Sequence, residues 1–358
     1  MAKLFGIEFA PFWVPLDRRL QTLAVFQFIS MFMCYGFICL YLNYYLIVHT
    51  RYWWLALVYC AWYVFDQPKV HKGGRRHLLA VGKYIGFFAV RKWRIWNYFR
   101  DYFPISLVKT VDLDPGRSYV FAYHPHGLVS VGAFCSFVTD AAGFPALFPG
   151  LTSYLLTLRC WFFFPFLREL LLFAGMSAAS RENIDSLLRR RSGDGSPPAG
   201  RAVVLVVGGA QEALYSQPGV FQLILAKRFG FVKKALQHGA PLVPCFGFGE
   251  NDLFLQTVAP EGSLMRRMQD AFRSVFTFSL PVARGRGIFN YSFGVLPQRR
   301  PVTVVVGAPV EPDGGPKEFP SAEEIQKLHA KYVAALVDLF ERHKGDYGLS
   351  ETDHLEII

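Results

Sequence analysis

The chain has 358 residues, 52% hydrophobic and only 18% charged, and its 38 Lys and Arg against 27 Asp and Glu leave a formal charge of +11. Such apolar content excludes disorder, and 35 Phe with a mean hydropathy of +0.24 sit poorly with an ordinary soluble domain, where ~25% charged residues are usual. A basic balance points to nucleic acid or an anionic membrane surface, and the shortage of charge selects the membrane and sets nucleic acid aside.

Residues 1–22 read as a cytosolic N-terminal segment. From Leu23 to Val48 no charged residue occurs, a run longer than the ~20 residues that cross hydrocarbon, which predicts a transmembrane helix. After His49, Thr50 and Arg51, the Trp- and Tyr-rich stretch Tyr52 to Phe65 is short for a full span and reads as a steep return leg or an interfacial segment. Arg18 and Arg19 before the pair, and Lys69, Lys72, Arg75 and Arg76 after it, outweigh Arg51 in the connector. The positive-inside rule therefore predicts a hairpin over 23–66 with both flanks cytosolic, and a cytosolic, membrane-associated domain over 67–358. The sequon Asn290-Tyr291-Ser292 should then carry no sugar. A glycan detected there by mass spectrometry would overturn the topology.

Beyond Ser118, short apolar runs at Ser118 to Tyr123, Ala202 to Val207, Pro241 to Phe246 and Val302 to Val306 read as buried strands. Helices are expected over Ile184 to Arg191, Phe221 to Gln237 and Ser321 to His343, the last opening on the capping box Ser321-x-x-Glu324. This alternation predicts an α/β domain with a mixed or largely parallel sheet, interrupted by a surface loop at Ser192 to Gly200. Leu151 to Met176 is apolar but broken by Arg159, Pro165, Arg168 and Glu169, and reads as helices at the cytosolic leaflet or as buried core. The six cysteines form no C-x-x-C pair and are expected as buried thiols.

Chemistry concentrates after the strands. Tyr123-His124-Pro125-His126-Gly127 places two imidazoles at a strand's C-terminal end, where open α/β sheets bind ligands, and an imidazole near neutral pKa is a natural general base. A metal site would need further ligands, which Gly127 to Ser130 do not supply, and G-x-S-x-G, P-loop and dinucleotide fingerprints are missing from the sequence. Val207-Gly208-Gly209-Ala210-Gln211-Glu212 follows a second strand; its glycines allow close backbone approach and Glu212 offers a carboxylate to orient an imidazole. Glu250 and Asn251 follow a third, so three polar clusters are expected to meet in one substrate pocket with Pro125, Gly127, Gly208 and Gly209. Lys227, Arg228, Lys233 and Lys234, and Arg286 in a Gly-flanked loop, are candidate phosphate ligands.

Together these motifs resemble the diacylglycerol acyltransferase type 2 family, and the likeness runs nearly end to end. It is carried by Gly73-Gly74-Arg75-Arg76, Asp101-Tyr102-Phe103-Pro104, His124-Pro125-His126-Gly127, Leu147-Phe148-Pro149-Gly150, Gly208-Gly209-Ala210-Gln211-Glu212, Gly249-Glu250-Asn251 and Gly285-Arg286-Gly287. The N-terminal Glu8-Phe9-Ala10-Pro11 and Phe103-Pro104-Ile105-Ser106 resemble its monoacylglycerol acyltransferase branch. Two departures are present: the family's Arg-Lys-Gly-Phe reads Arg228-Phe229-Gly230-Phe231, and its Arg-Asp/Glu-Tyr reads Arg168-Glu169-Leu170.

The resemblance implies an acyl-CoA-dependent O-acyltransferase, esterifying 2-monoacylglycerol to diacylglycerol, with diacylglycerol or a long-chain alcohol as alternative acceptors. It implies His126, or His124 in its place, as base, with no cofactor or metal beyond the acyl-CoA co-substrate. It also implies a multi-pass protein of the endoplasmic reticulum membrane or lipid-droplet surface, with a homo-oligomer open. A non-catalytic lipid-binding protein and a metal-dependent lipid hydrolase remain the rival readings.

Overall fold

The computed structural model describes residues 3–4, 6–11, 13–70, 90–189, 200–276, 278–279 and 281–358. Seven strands make the central sheet: β1 (Ser106–Lys109), β2 (Tyr119–His124), β3 (Leu151–Thr157), β4 (Ser177–Ala178), β5 (Gly200–Val206), β6 (Leu242–Phe248) and β7 (Thr303–Val306). Their spatial order is β1-β7-β6-β2-β5-β3-β4. Within this sheet the β6–β7 pair is antiparallel and the others are parallel, so it is mixed and largely parallel. β2 and β6 are buried along their whole length, which is why they read as continuous apolar runs rather than alternating ones.

The helices that matter to the site are α1 (Leu16–Met33), α2 (Tyr35–His49), α3 (Trp53–Val70), α4 (Arg94–Tyr102), α5 (Val131–Val138), α6 (Leu167–Phe173), α7 (Arg181–Leu188), α8 (Gly209–Glu212), α9 (Gly230–His238) and α10 (Ala322–His343). Strand side chains alternate between two layers. Tyr119, Phe121 and Tyr123 join the core built with α1, α4, α5 and α6. Val120 and Ala122 join the one built with α7, α9 and α10. Tyr123 lies opposite both Val206 of β5 and Cys245 of β6. Three parallel strands thus finish at one edge of the sheet, and each of the three polar clusters follows one of those ends. The capping box holds: Ser321 Oγ accepts from Glu324 N–H and Glu324 Oε2 from Ser321 N–H.

Several expectations change. The single helix over Leu23 to Val48 is two helices, α1 and α2, bent by 66° at their junction. Among the described residues no single helix is long and apolar enough to cross a membrane, and only this bent pair meets that test together. Packing supplies the reason. Ala24, Val25, Phe28, Ile29 and Met31 are buried, with the Phe28 ring 4.9 Å from Phe99 and 4.7 Å from Phe134. The first half of the apolar run therefore belongs to the sheet's core, whereas α2 leaves Phe37, Ile38, Tyr41 and Leu42 exposed.

Leu151 to Met176 opens with β3, an inner strand, so its first third is core rather than leaflet helix. The rest, a short 3-10 turn (Arg159–Phe163) and α6, is latched to α3. Arg168 and Asp66, both fully buried, form an ion pair. Phe166 N–H donates to the Tyr59 hydroxyl at 2.9 Å, and Tyr63 donates to the Phe162 carbonyl at 3.2 Å. The charge that interrupts the apolar run is thus neutralised by the return leg.

The helix expected over Phe221 to Gln237 begins only at Gly230. Gln222–Leu223 pairs instead with Glu356–Ile357, and Ile224 N–H donates sideways to Glu212 at 3.0 Å, so the donors a helix needs are already used. The helix expected over Ile184 to Arg191 spans Arg181–Leu188. Cys135 and Cys245 are buried, but Cys34, at the junction of α1 and α2, and Cys60, on α3, are exposed. Gly73-Gly74-Arg75-Arg76, Lys72 and nearly all of the loop Ser192 to Gly200 lie outside the described residues.

Candidate active site

β2 ends at His124, and the alternation that sends Val120 and Ala122 toward α10 sends His124 there too. Its Nε2 is 3.0 Å from the Tyr332 hydroxyl, which in turn donates to the Ala122 carbonyl at 3.2 Å. Nε2–H is therefore the donor, and Nδ1 finds no partner among the described residues. Full burial pushes the His124 pKa down to about 3. This imidazole is a neutral, interior ring closed in by α10.

His126 lies beyond the strand and is half-buried. Its Nδ1 is 3.0 Å from the Gly127 carbonyl, and a carbonyl only accepts, so the proton sits on Nδ1 and Nε2 carries a lone pair. Burial lowers the pKa of this ring, with the Gly127 carbonyl partly opposing. At neutral pH it is a free base.

Two buried carboxylates clamp the turn that carries this ring. Glu212, 2% exposed, does not orient the imidazole as expected; its Oε1 accepts the backbone N–H of His126 at 2.6 Å and its Oε2 that of Ile224 at 3.0 Å. Glu250, also 2% exposed, accepts from Val131 N–H at 2.7 Å, Gly132 N–H at 2.8 Å and the Tyr123 hydroxyl at 2.8 Å. Its oxygens thereby cap the N-terminus of α5. The glycines make room: at Gly127, whose φ is +58°, a Cβ would stand 2.6 Å from Glu250 Cγ, and at Gly208 one would collide with the Glu212 carboxylate. Pro125 and Gly209 complete the two turns, the latter also with positive φ.

Burial raises both carboxylates to about 7, against the pull of their N–H donors and, for Glu250, of Tyr123. Each group's contribution to stability is whole below its unfolded value, near 4.5, and is lost as pH climbs through about 7. The melting temperature of the purified protein should fall between about pH 4.5 and 7, and Glu212→Gln should flatten part of that slope. A flat melting profile for the parent protein would contradict the burial argument.

Other expected ligands divide. Asn251 is buried, with its Oδ1 taken by Ser216 Oγ at 2.9 Å and its Nδ2 by the Val220 carbonyl at 2.9 Å. It and Glu250 hold loops together rather than reaching a substrate. Lys227 and Arg228 line a cleft of about 330 Å³ with Gln211, Tyr215, Ile224 and Ile358, and Arg228 reaches Gln211 Oε1 at 3.1 Å. Lys234 pairs with Asp185 at 2.7 Å, and Lys233 is exposed on α9 outside that cleft. Arg286 is buried, its guanidinium 4.4 Å from the Tyr291 ring.

Tyr123, Tyr332, Gly132 and Ser216 went unread as site residues. Tyr123 had a signal, being the polar-tipped residue beside the tetrad and on the face opposite His124. Tyr332 had none, since it sits on the apolar face of α10, 208 residues from its histidine.

A sheet edge where three parallel strands present a free imidazole and two buried carboxylates defines an enzyme of the α/β class. The chain belongs to the diacylglycerol acyltransferase family, whose model matches residues 45–358, and acyl transfer is accordingly its chemistry. It is 44% identical to 2-acylglycerol O-acyltransferase 1 of Bos taurus, over 98% of each chain. It is 42% identical to diacylglycerol O-acyltransferase 2 of Homo sapiens, over 96% of this chain and 84% of that one. Acyl-CoA wax alcohol acyltransferase 2 of Homo sapiens is 41% identical, over 96% and 98%.

Proposed function

We propose that this protein moves a fatty acyl group from acyl-CoA to 2-monoacylglycerol, forming diacylglycerol, with His126 as general base. The observation that carries the assignment is the His126 Nδ1–H bond to the Gly127 carbonyl, which leaves Nε2 unprotonated at the strand ends. Nε2 takes the proton of the glycerol hydroxyl as that oxygen attacks the thioester carbon. Backbone N–H groups around Gly127 or Gly208-Gly209 meet the oxyanion, the C–S bond breaks, and the CoA thiolate recovers the proton from the imidazolium. The thioester is already activated, so no protein nucleophile, cofactor or metal enters the scheme. Glu212 acts by fixing the backbone that carries the base, and Lys227 and Arg228 offer their charge to CoA phosphates.

The exposed apolar faces of α2 and α3 support attachment to a bilayer, which we assign to the endoplasmic reticulum with the sheet domain cytosolic. Lipid acceptor then enters from the leaflet and acyl-CoA from the water. Because relatives 41–44% identical carry three different acceptors in their names, diacylglycerol or a long-chain alcohol is the second reading. Purified protein given labelled acyl-CoA with monoacylglycerol, diacylglycerol and hexadecanol in competition should make mainly diacylglycerol. Predominant triacylglycerol or wax ester would reassign the acceptor, and no ester at all would end the proposal.

A further inference from the structure

Apart from the strand-end site, the strongest unexplained feature lies where the N-terminal segment meets the loop before β7. Ile7–Ala10 runs beside residues 289–292: Phe9 bridges Asn290, Ala10 N–H donates to the Phe289 carbonyl at 2.9 Å and Tyr291 N–H to the Glu8 carbonyl at 2.8 Å. This junction holds large apolar side chains in water. Phe289 is 78% exposed and Trp13 93%, with Leu16, Ile288, Phe293 and Val295 also exposed.

Three arginines gather at the same junction around Tyr102 and Tyr291 and the first turn of α1. Arg299 stacks 4.0 Å over the Tyr102 ring and donates to Gln21 Oε1 at 2.6 Å and to the Arg18 carbonyl at 3.2 Å. Arg286 lies 6.0 Å from the same Tyr102 ring and 4.4 Å from Tyr291. Arg18 is exposed on the first turn of α1, and its charge, with that of Arg286, helps burial hold the Arg299 pKa down to about 10. Among the described residues, none of the three forms an ion pair. Like charges gathered with no carboxylate partner store repulsion that an anion would relieve, and guanidinium forks match phosphate oxygens.

We propose that this junction is a second membrane contact, in which Phe289, Phe293 and Trp13 enter the leaflet while Arg18 and Arg299 hold phospholipid phosphates and the buried Arg286 adds its charge from within. An apolar tip with cations at the same junction fits a bilayer, where hydrocarbon lies just below a layer of phosphates. The contact is independent of α2 and α3, and it fixes which way the sheet domain faces the leaflet. It rests on the bilayer reading above but not on the chemistry, so an enzyme without diacylglycerol product and a loop that stays in water are separate failures.

The test uses the full chain in phosphatidylcholine nanodiscs, with Phe289→Trp adding one fluorophore to the parent. Brominated acyl chains should quench about half or more of the added emission, and aqueous iodide under about a tenth. Arg18→Gln with Arg299→Gln in that background should reduce the lipid quenching by about half or more, while KM for acyl-CoA in detergent stays within about twofold. Iodide quenching with brominated lipid inert would overturn the proposal, as would lipid quenching unchanged by the double variant. A KM rise of about tenfold would give the arginines to CoA phosphates instead, and also overturns it. Arg18→Gln alone, at an exposed side chain, repeats the test without disturbing the fold.

Discussion

Replacing His126 by Ala should lower acyl transfer by about two to four decades, the usual worth of a positioned general base. The fold should survive, because the structural bonds at this position come from the backbone, through the N–H that Glu212 receives and the carbonyl that accepts from Ser130 Oγ at 2.9 Å. His124→Phe makes the opposite case. It deletes the bond to Tyr332 inside a closed core and should cost stability, with far less loss of turnover per folded molecule. Measuring product formation alongside melting temperature separates the two histidines. Near-normal turnover in His126→Ala, or equal kinetic losses in both variants, would refute the assignment.

Glu250→Ala should be the most destabilising single change at the site. It strands the N–H groups of Val131 and Gly132 and the Tyr123 hydroxyl in the interior, where removing the charged partner of such donors costs about 3–5 kcal/mol. A drop in melting temperature of about 4–7 °C follows for a chain of this size. Glu250→Gln should fall between, since its amide keeps one acceptor but turns an NH₂ toward a donor. If Glu250 instead bound substrate, the alanine variant would melt normally and show only a raised KM.

How much of this was legible depends on where the information resides. Strand ends were visible to within two residues because each buried parallel strand is a short apolar run that stops near a Gly or Pro turn: expected at Tyr123, Val207 and Phe246, they fall at His124, Val206 and Phe248. The convergence of the three clusters followed from parallel topology. What each polar side chain does there was not visible, because Glu212 and Glu250 bind backbone N–H groups, and backbone donors carry no residue identity. The choice between His124 and His126 was hidden for a related reason. Pleat parity alone would send both rings, two residues apart, to one face; the strand ends at His124, so parity does not place His126, and what closes His124 in is Tyr332, far along the chain. The misread of Phe221 to Gln237 came from pattern: its apolar spacing suits a helix, yet pairing with Glu356–Ile357 takes its first residues into a ribbon. The bend between α1 and α2 was equally silent, since an apolar run looks alike whether its partner is lipid or Phe99.

The burial of α1 against α4 and α5 has a practical consequence. Phe28 lies between Phe99 and Phe134, and Arg299 is bonded to Gln21 and Thr22. Shortening the protein to begin after the apolar run, in search of a version that needs no detergent, would strip one wall from the interior and expose those rings. Solubility cannot be gained by trimming at the front; it has to be sought by recolouring the outward faces of α2 and α3 with polar residues while leaving α1 whole.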